Sequence, residues 1–200
     1  QPMSSLKAAA AAIPISTEPT PADGSVGPAL SPKQEAELRA TALVLEAGQR
    51  LCFVSCDTLV VPTDVLEAAT RRIVAEAGIP FANLLICATH THHAPCTIDI
   101  LGCSRDKAFC GRLLEAIVRS AVEASQALDR GSPQQVSAEL LFAESQEATV
   151  GTNSRYLLKD GTIAWHAFAW EDVVRPTGPF DPDLPVLAIR RPGGELASVL

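Results

Sequence analysis

The sequence predicts an α/β protein with a mixed sheet flanked by helices and extended by β-hairpins. Three observations lead there. Apolar residues recur at helical spacing over 62–78 and 106–128, and short apolar strands lie before, between and after these stretches. Two strand-like runs meet at Gly48-Gln49 with no room for a helix, so part of the sheet is antiparallel. Lys159-Asp160-Gly161 and Pro192-Gly193-Gly194 sit between further apolar runs and mark hairpin tips.

Each element has its own justification. Residues 8–16 suit one short strand. Thr17-Glu18-Pro19-Thr20-Pro21 then stops regular structure, because each Pro removes a backbone donor and restrains its predecessor. The stretch 17–36 therefore reads as an ordered loop or a flap over a site. Runs 41–47 and 51–56 form the first hairpin, and Asp57 follows at its C-terminal end. Val65, Leu66, Ala69, Ile73, Val74 and Ala77 make one stripe of a helix over 62–78. Thr63 is the candidate cap, Gly78 the stop, and Pro80 prevents the helix from resuming.

Residues 84–88 are continuously apolar, the pattern of a strand buried on both faces. Phe109, Leu113, Leu114, Ile117, Val118, Ala121 and Val122 define the second helix, which Gly131-Ser132-Pro133 ends. Residues 135–143 read as a strand, 156–170 as a hairpin, and 185–190 with 196–200 as a last hairpin. That final strand runs directly into Leu200. Residues 1–200 are accordingly expected to be the N-terminal part of a longer domain, with 1–36 a loop-rich opening segment.

Composition narrows the function. Hydrophobic residues make up 47% of the chain and charged residues 20%, enough apolar surface for a core and too little charge for general disorder. The net charge of −7 argues against a nucleic-acid surface. No apolar run reaches the roughly 18 residues a membrane-spanning helix needs. Of the six cysteines, Cys52, Cys56 and Cys87 lie in strand-like runs and are expected as buried thiols. Cys96 and Cys103 flank a short loop and can bridge in an oxidising compartment.

The chemistry concentrates at 89–95, Thr-His-Thr-His-His-Ala-Pro, directly after the apolar strand. Three of the four histidines fall within four residues. If the strand continues, His90 and His92 share a face and His93 takes the other. Neutral imidazole is a common zinc ligand, and a catalytic zinc takes three protein ligands plus water. His-x-His supplies at most two of them. Candidate carboxylates are Asp57, Asp99, Asp181 and Asp183; Asp57 stands out because it ends a strand on the side where α/β sheets bind ligands. A capping role for Asp57 is the equal alternative. His166, beside Trp165, reads as a packed or surface histidine rather than a ligand. A structural zinc between Cys87-x2-His90 and His92-x3-Cys96 is disfavoured by strand geometry, since Cys87 and His90 would face opposite ways.

The segment Ala88-Thr89-His90-Thr91-His92-His93-Ala94-Pro95 resembles the Gly-Thr-His-Thr-His-Ser-Gly-Pro segment of neutral/alkaline (non-lysosomal) ceramidases. Other stretches are similar to that family in the same order. They are the segment from Ile13 to Pro19, the strand from Leu38 to Glu46, Phe53-Val54-Ser55-Cys56-Asp57, and Gly178-Pro179-Phe180-Asp181-Pro182-Asp183. The sequence departs from the family at His93, in place of Ser, and at Ala94, in place of Gly.

The resemblance implies a zinc-dependent amidase acting on a small-molecule or lipid N-acyl substrate of the sphingolipid class. It implies His90 as a Zn2+ ligand and His92 beside the substrate. It places the remaining ligands, a second His, a Glu and a Tyr, beyond Leu200. Asn153-Ser154-Arg155 resembles the family's Asn-Arg pair displaced by one residue, which implies Arg155 facing the active site. With Asp57, these residues form the expected catalytic set. A secreted or periplasmic location is implied as well. Two other readings stay open: a different His-x-His metal hydrolase of metallo-β-lactamase type, and a non-catalytic protein with a structural metal site. Oligomeric state is not legible.

Overall fold

A computed structural model describes residues 6–17, 36–100, 102–130, 136–137, 139–190 and 196–199. The chain divides into two compact units, residues 1–139 with 189–198 and residues 140–188 with 199–200.

The first unit is built on a five-stranded sheet. Strands β1 (Lys7–Ile15), β2 (Leu38–Ala47), β3 (Gln49–Cys56), β4 (Leu84–Ala88) and β5 (Val136–Ser137) are arranged in the order β4-β3-β2-β1-β5. β2 and β3 turn at Gly48, whose φ of 84° suits a residue without a Cβ. β1 continues the antiparallel pairing on the far side of β2, from Lys7 opposite Glu46 to Ile15 opposite Leu38. β3 and β4 are parallel, Cys52 opposite Leu84 and Cys56 opposite Ala88. Parallel neighbours need a crossover, and helix α1 (Thr63–Ala77) supplies it. The sheet is therefore mixed.

Helix α2 (Lys107–Arg130) packs on β1, β2, β3 and α1. The core lies between helices and sheet. Ile13, Ile15, Val44 and Val54 from the strands meet Ile73 of α1 and Phe109, Leu113 and Ile117 of α2. Asp106 caps α2: its carboxylate accepts from the Phe109 N–H at 2.8 Å, and its carbonyl from the Cys110 N–H at 3.0 Å.

Several details depart from the sequence reading. Pro62, not Thr63, occupies the N-cap of α1 and makes no side-chain bond there; Thr63 is the first helical residue. Proline suits that place because it gives up a donor the helix start would leave unpaired. Gly78 does end the helix, left-handed at φ 66° and donating to the Val74 carbonyl. Strand β4 is not buried on both faces: Leu85 is 55% exposed and Cys87 is exposed as well. Only the side carrying Leu84 and Ile86 packs on the core, because both helices of the unit lie on that one side of the sheet. The expected strand 135–143 is split. Val136–Ser137 joins the five-stranded sheet, whereas β6 (Glu139–Gln146) lies in a three-stranded sheet ordered β11-β10-β6 with β10 (Asp183–Arg190) and β11 (Leu196–Val199).

The second unit carries a small sheet, β8-β7-β9, from β7 (Tyr156–Leu158), β8 (Ile163–Ala164) and β9 (Val173–Pro176). The Asp160-Gly161 tip forms as expected, with Gly161 at φ 84° and its N–H donating to the Leu158 carbonyl. The hairpin stops at Ala164, short of residue 170, and a 3-10 turn at Trp170–Asp172 leads into β9. Tyr156, Phe168 and Trp170 stack on one another at 5.3–5.5 Å between ring centres. Most of the expected flap at 17–36 and the Gly-rich turns at 131–133 and 192–194 lie outside the described residues.

Candidate active site at the end of the parallel strand pair

Strands β3 and β4 end side by side at Cys56 and Ala88, and both chains then turn out of the sheet. The two exit segments are laced together. The Thr89 N–H donates to the Cys56 carbonyl at 2.9 Å. One ring nitrogen of His90, Nδ1, lies 2.9 Å from the Leu59 carbonyl oxygen. The Thr97 hydroxyl donates to the Val60 carbonyl at 2.7 Å. The histidine segment is thus anchored at both ends to residues 56–60, which precede α1.

The strand does not continue through the histidines. It stops at Ala88, and His90 adopts φ 61°, in the left-handed region that few residues other than Gly enter. The expected same-face alternation is therefore replaced by a turn. The turn still pairs the two rings: those of His90 and His92 lie 5.2 Å apart, nearly perpendicular at 80°. All three histidines are exposed. The Thr91 hydroxyl accepts from the His93 N–H at 3.2 Å, which shapes the turn.

The hydrogen bond to Leu59 decides the state of the His90 ring. A carbonyl oxygen only accepts, so Nδ1 must carry the proton, and a neutral ring then keeps its lone pair on Nε2. This is the arrangement in which metal-binding histidines are commonly held. On donor chemistry, then, His90 fits a zinc ion as one member of a ligand set. Among the described residues no group of three or more His, Cys, Asp or Glu side chains converges as a full set would.

Asp57 sits beside this edge in a definite structural role. Its carboxylate accepts from the Arg39 N–H at 3.0 Å, and its own N–H donates to the Arg39 carbonyl at 2.9 Å, adding one rung to the β2–β3 ladder. Next to it, Thr58 is fully buried, and its hydroxyl has no hydrogen-bond partner among the described residues. Sequence reasoning passed over Thr58, because a threonine after a strand carries no signal until its burial is known. Burial also pushes the thiol of Cys56 up to about 12, so this strand-end cysteine stays protonated and inert.

Arg155 belongs to the second unit. Its guanidinium lies 4.7 Å from the centre of the Trp165 ring and also donates to the Ser154 hydroxyl, while its backbone N–H is held by the Asn153 side chain. His166 is exposed and stacks on Trp165 at 4.8 Å. Asp181 and Asp183 are exposed in the second unit, and Asp181 accepts from the Asp183 N–H at 3.0 Å. Asp99 accepts from the Arg105 N–H at 2.7 Å and so shapes the loop before α2. Of the expected site residues, the structure thus brings His90 and His92 together beside the strand end that Asp57 closes.

Comparison with solved structures finds the same fold. A neutral ceramidase from Pseudomonas aeruginosa superposes with a TM-score of 0.63 over 100% of this chain, at 21% identity. A ceramidase complexed with C2 gives 0.61 over 97% of the chain, also at 21% identity. The chain spans only 31% and 30% of those two proteins. No family model matches the sequence, and no curated protein matches it.

Proposed function

We propose that this chain forms part of a zinc-dependent amide hydrolase of the ceramidase type, acting on a lipid or small-molecule N-acyl substrate. The observation that carries the reading is the His90 ring. It is fixed by the Leu59 carbonyl, presents Nε2 as its free lone pair, and stands 5.2 Å from the His92 ring where two parallel strands end. The shared fold with two ceramidase structures supports the choice of reaction.

His90 would hold the metal through Nε2, with further ligands supplied from outside the described set. When bound, zinc supplies Lewis acidity, polarising a carbonyl and lowering the pKa of water. His92, exposed and beside His90, would carry a proton to the leaving amine. Arg155 would donate to the developing oxyanion. Asp57 would act indirectly, keeping the end of β3 in register with β2 and so holding the segment that anchors His90. A location outside the cytoplasm belongs to the same proposal.

Zinc titration of the 200-residue chain tests the central claim. Binding weaker than micromolar is expected from this partial ligand set, and His90→Ala should remove it. In the intact protein, the same substitution should abolish hydrolysis of N-acyl substrates. Unchanged zinc binding and unchanged hydrolysis in His90→Ala would end the reading.

A further inference from the structure

Where α1 and α2 begin, an open cavity of about 390 Å³ lies between them, within the size range of small-molecule sites. Val65, Ala68 and Leu114 give it apolar walls, and Arg105 and Lys107 give it two cations. None of its lining residues belongs to the histidine segment 89–95. Arg105 is held on three sides. Its Nη2 donates to Asp64 at 2.7 Å, its Nε to the Cys110 sulfur at 3.3 Å, and its backbone N–H to Asp99 at 2.7 Å. Its remaining nitrogen, Nη1, and the Lys107 ammonium have no partner among the described residues. Asp64 is the one carboxylate among the lining residues, against two positive charges. Gly111 lines the cavity too, inside α2. Its φ lies outside the left-handed region, and a Cβ there would meet nothing within 4 Å. Glycine weakens a helix interior, and here neither backbone geometry nor a close neighbour requires it. What its missing side chain provides is room in the cavity.

We propose that this cavity binds a small carboxylate with an apolar body. The carboxylate meets Arg105 Nη1 and the Lys107 ammonium, and the apolar part lies against Val65, Ala68 and Leu114. Guanidinium and ammonium donors form charge-assisted hydrogen bonds to a carboxylate, which are stronger than neutral ones. Arg105 is already oriented by its bonds to Asp64 and Cys110, so little side-chain freedom is lost on binding. Two features favour a singly charged acid with a chain over inorganic phosphate. Asp64 repels a dianion more than a monoanion. A fully polar ion also leaves the apolar walls in contact with water. The inference stands on the cavity and does not depend on the hydrolase reading.

The test titrates the isotope-labelled 200-residue chain with sodium hexanoate and follows the backbone amide NMR signals. The expected result is a saturable shift at Arg105, Lys107, Gly111 and Leu114. Hexan-1-ol keeps the chain and lacks the charge, and inorganic phosphate lacks the chain; each should bind at least about tenfold more weakly. Lys107→Gln, at an exposed position, should weaken hexanoate binding about threefold. Gly111→Leu should abolish binding while raising the urea midpoint of unfolding, because leucine favours a helix over glycine. Loss of binding with a gain in stability separates a filled cavity from a damaged fold. No saturable shift, shifts confined to His90–His93, phosphate binding as tight as hexanoate, or undiminished binding by Gly111→Leu would each overturn the proposal.

Discussion

The two units of the chain handle their apolar residues in opposite ways. In the first, helices α1 and α2 cover one side of the sheet and bury a continuous core. In the second, no residue between 140 and 188 is fully buried, and Phe142, Trp165, Trp170 and Phe180 stand exposed. Its order comes instead from local bonds. Asp160 accepts from Thr162, Glu147 from Thr149, and these bonds hold both carboxyls below their usual range. The contrast is one of layers: a sheet with a helical layer on it gains burial, and a three-stranded sheet without one does not.

The largest test of that contrast is in the core. Phe109 is fully buried among helix and sheet residues, so Phe109→Ala should cost about 3–5 kcal/mol by urea unfolding. Trp170→Ala, which removes only stacking on Tyr156 and Phe168 at an exposed position, should cost about 1.5 kcal/mol or less. Comparable losses from both would erase the distinction.

A second test follows from where the probes sit. Both tryptophans lie in the second unit, and the described α-helices lie in the first. Tryptophan fluorescence should therefore change at lower urea than the helical circular dichroism signal. Coincident transitions would show that the units unfold as one.

At the histidine turn the comparison sharpens to a single residue. His90 and its substitutes must accept φ 61°, which glycine does without steric cost. His90→Gly and His90→Ala both lose the bond to Leu59, so the glycine variant should be the more stable by about 1 kcal/mol. Both should lose zinc binding. Equal stability would mean that the turn relaxes away from its left-handed geometry.

The smallest expected effect is electrostatic. Arg50, at the start of β3, pairs with Asp129 of α2 at 2.7 Å and holds its carboxyl below the usual range. The folded value lies below the unfolded one. The contribution is thus fully present above the unfolded carboxylate range and is lost as pH falls toward the folded value. Asp129→Asn should cost under about 1 kcal/mol at neutral pH, since the carboxylate is largely exposed. The gap in unfolding midpoint between wild type and variant should close as pH falls below about 4.

Much of the first unit was legible in the residues. The stripe from Val65 to Ala77 and the one from Phe109 to Val122 became α1 and α2, and Gly48 and Gly78 marked a turn and a helix end. The mixed sheet followed from a hairpin joined to a crossover. The exposure of Leu85 and Cys87 was not legible, because an apolar run does not reveal how many layers cover it. Nor was the assignment of Val136–Ser137 and Glu139–Gln146 to different sheets: one continuous run of strand formers gives no sign of it.

The candidate site divides in the same way. Sequence alone determined the donor types, with imidazoles at 90, 92 and 93 and a carboxylate at 57, and it located them at strand ends. Only the tertiary structure decided their state. The Leu59 carbonyl, 31 positions away in the chain, sets the tautomer of His90, and the Arg39 backbone occupies Asp57. Spacing along a chain records which side chains are near one another in sequence. A hydrogen bond between segments that meet only on folding leaves no periodic trace, so the partner that orients a ligand emerges only when the sheet has formed.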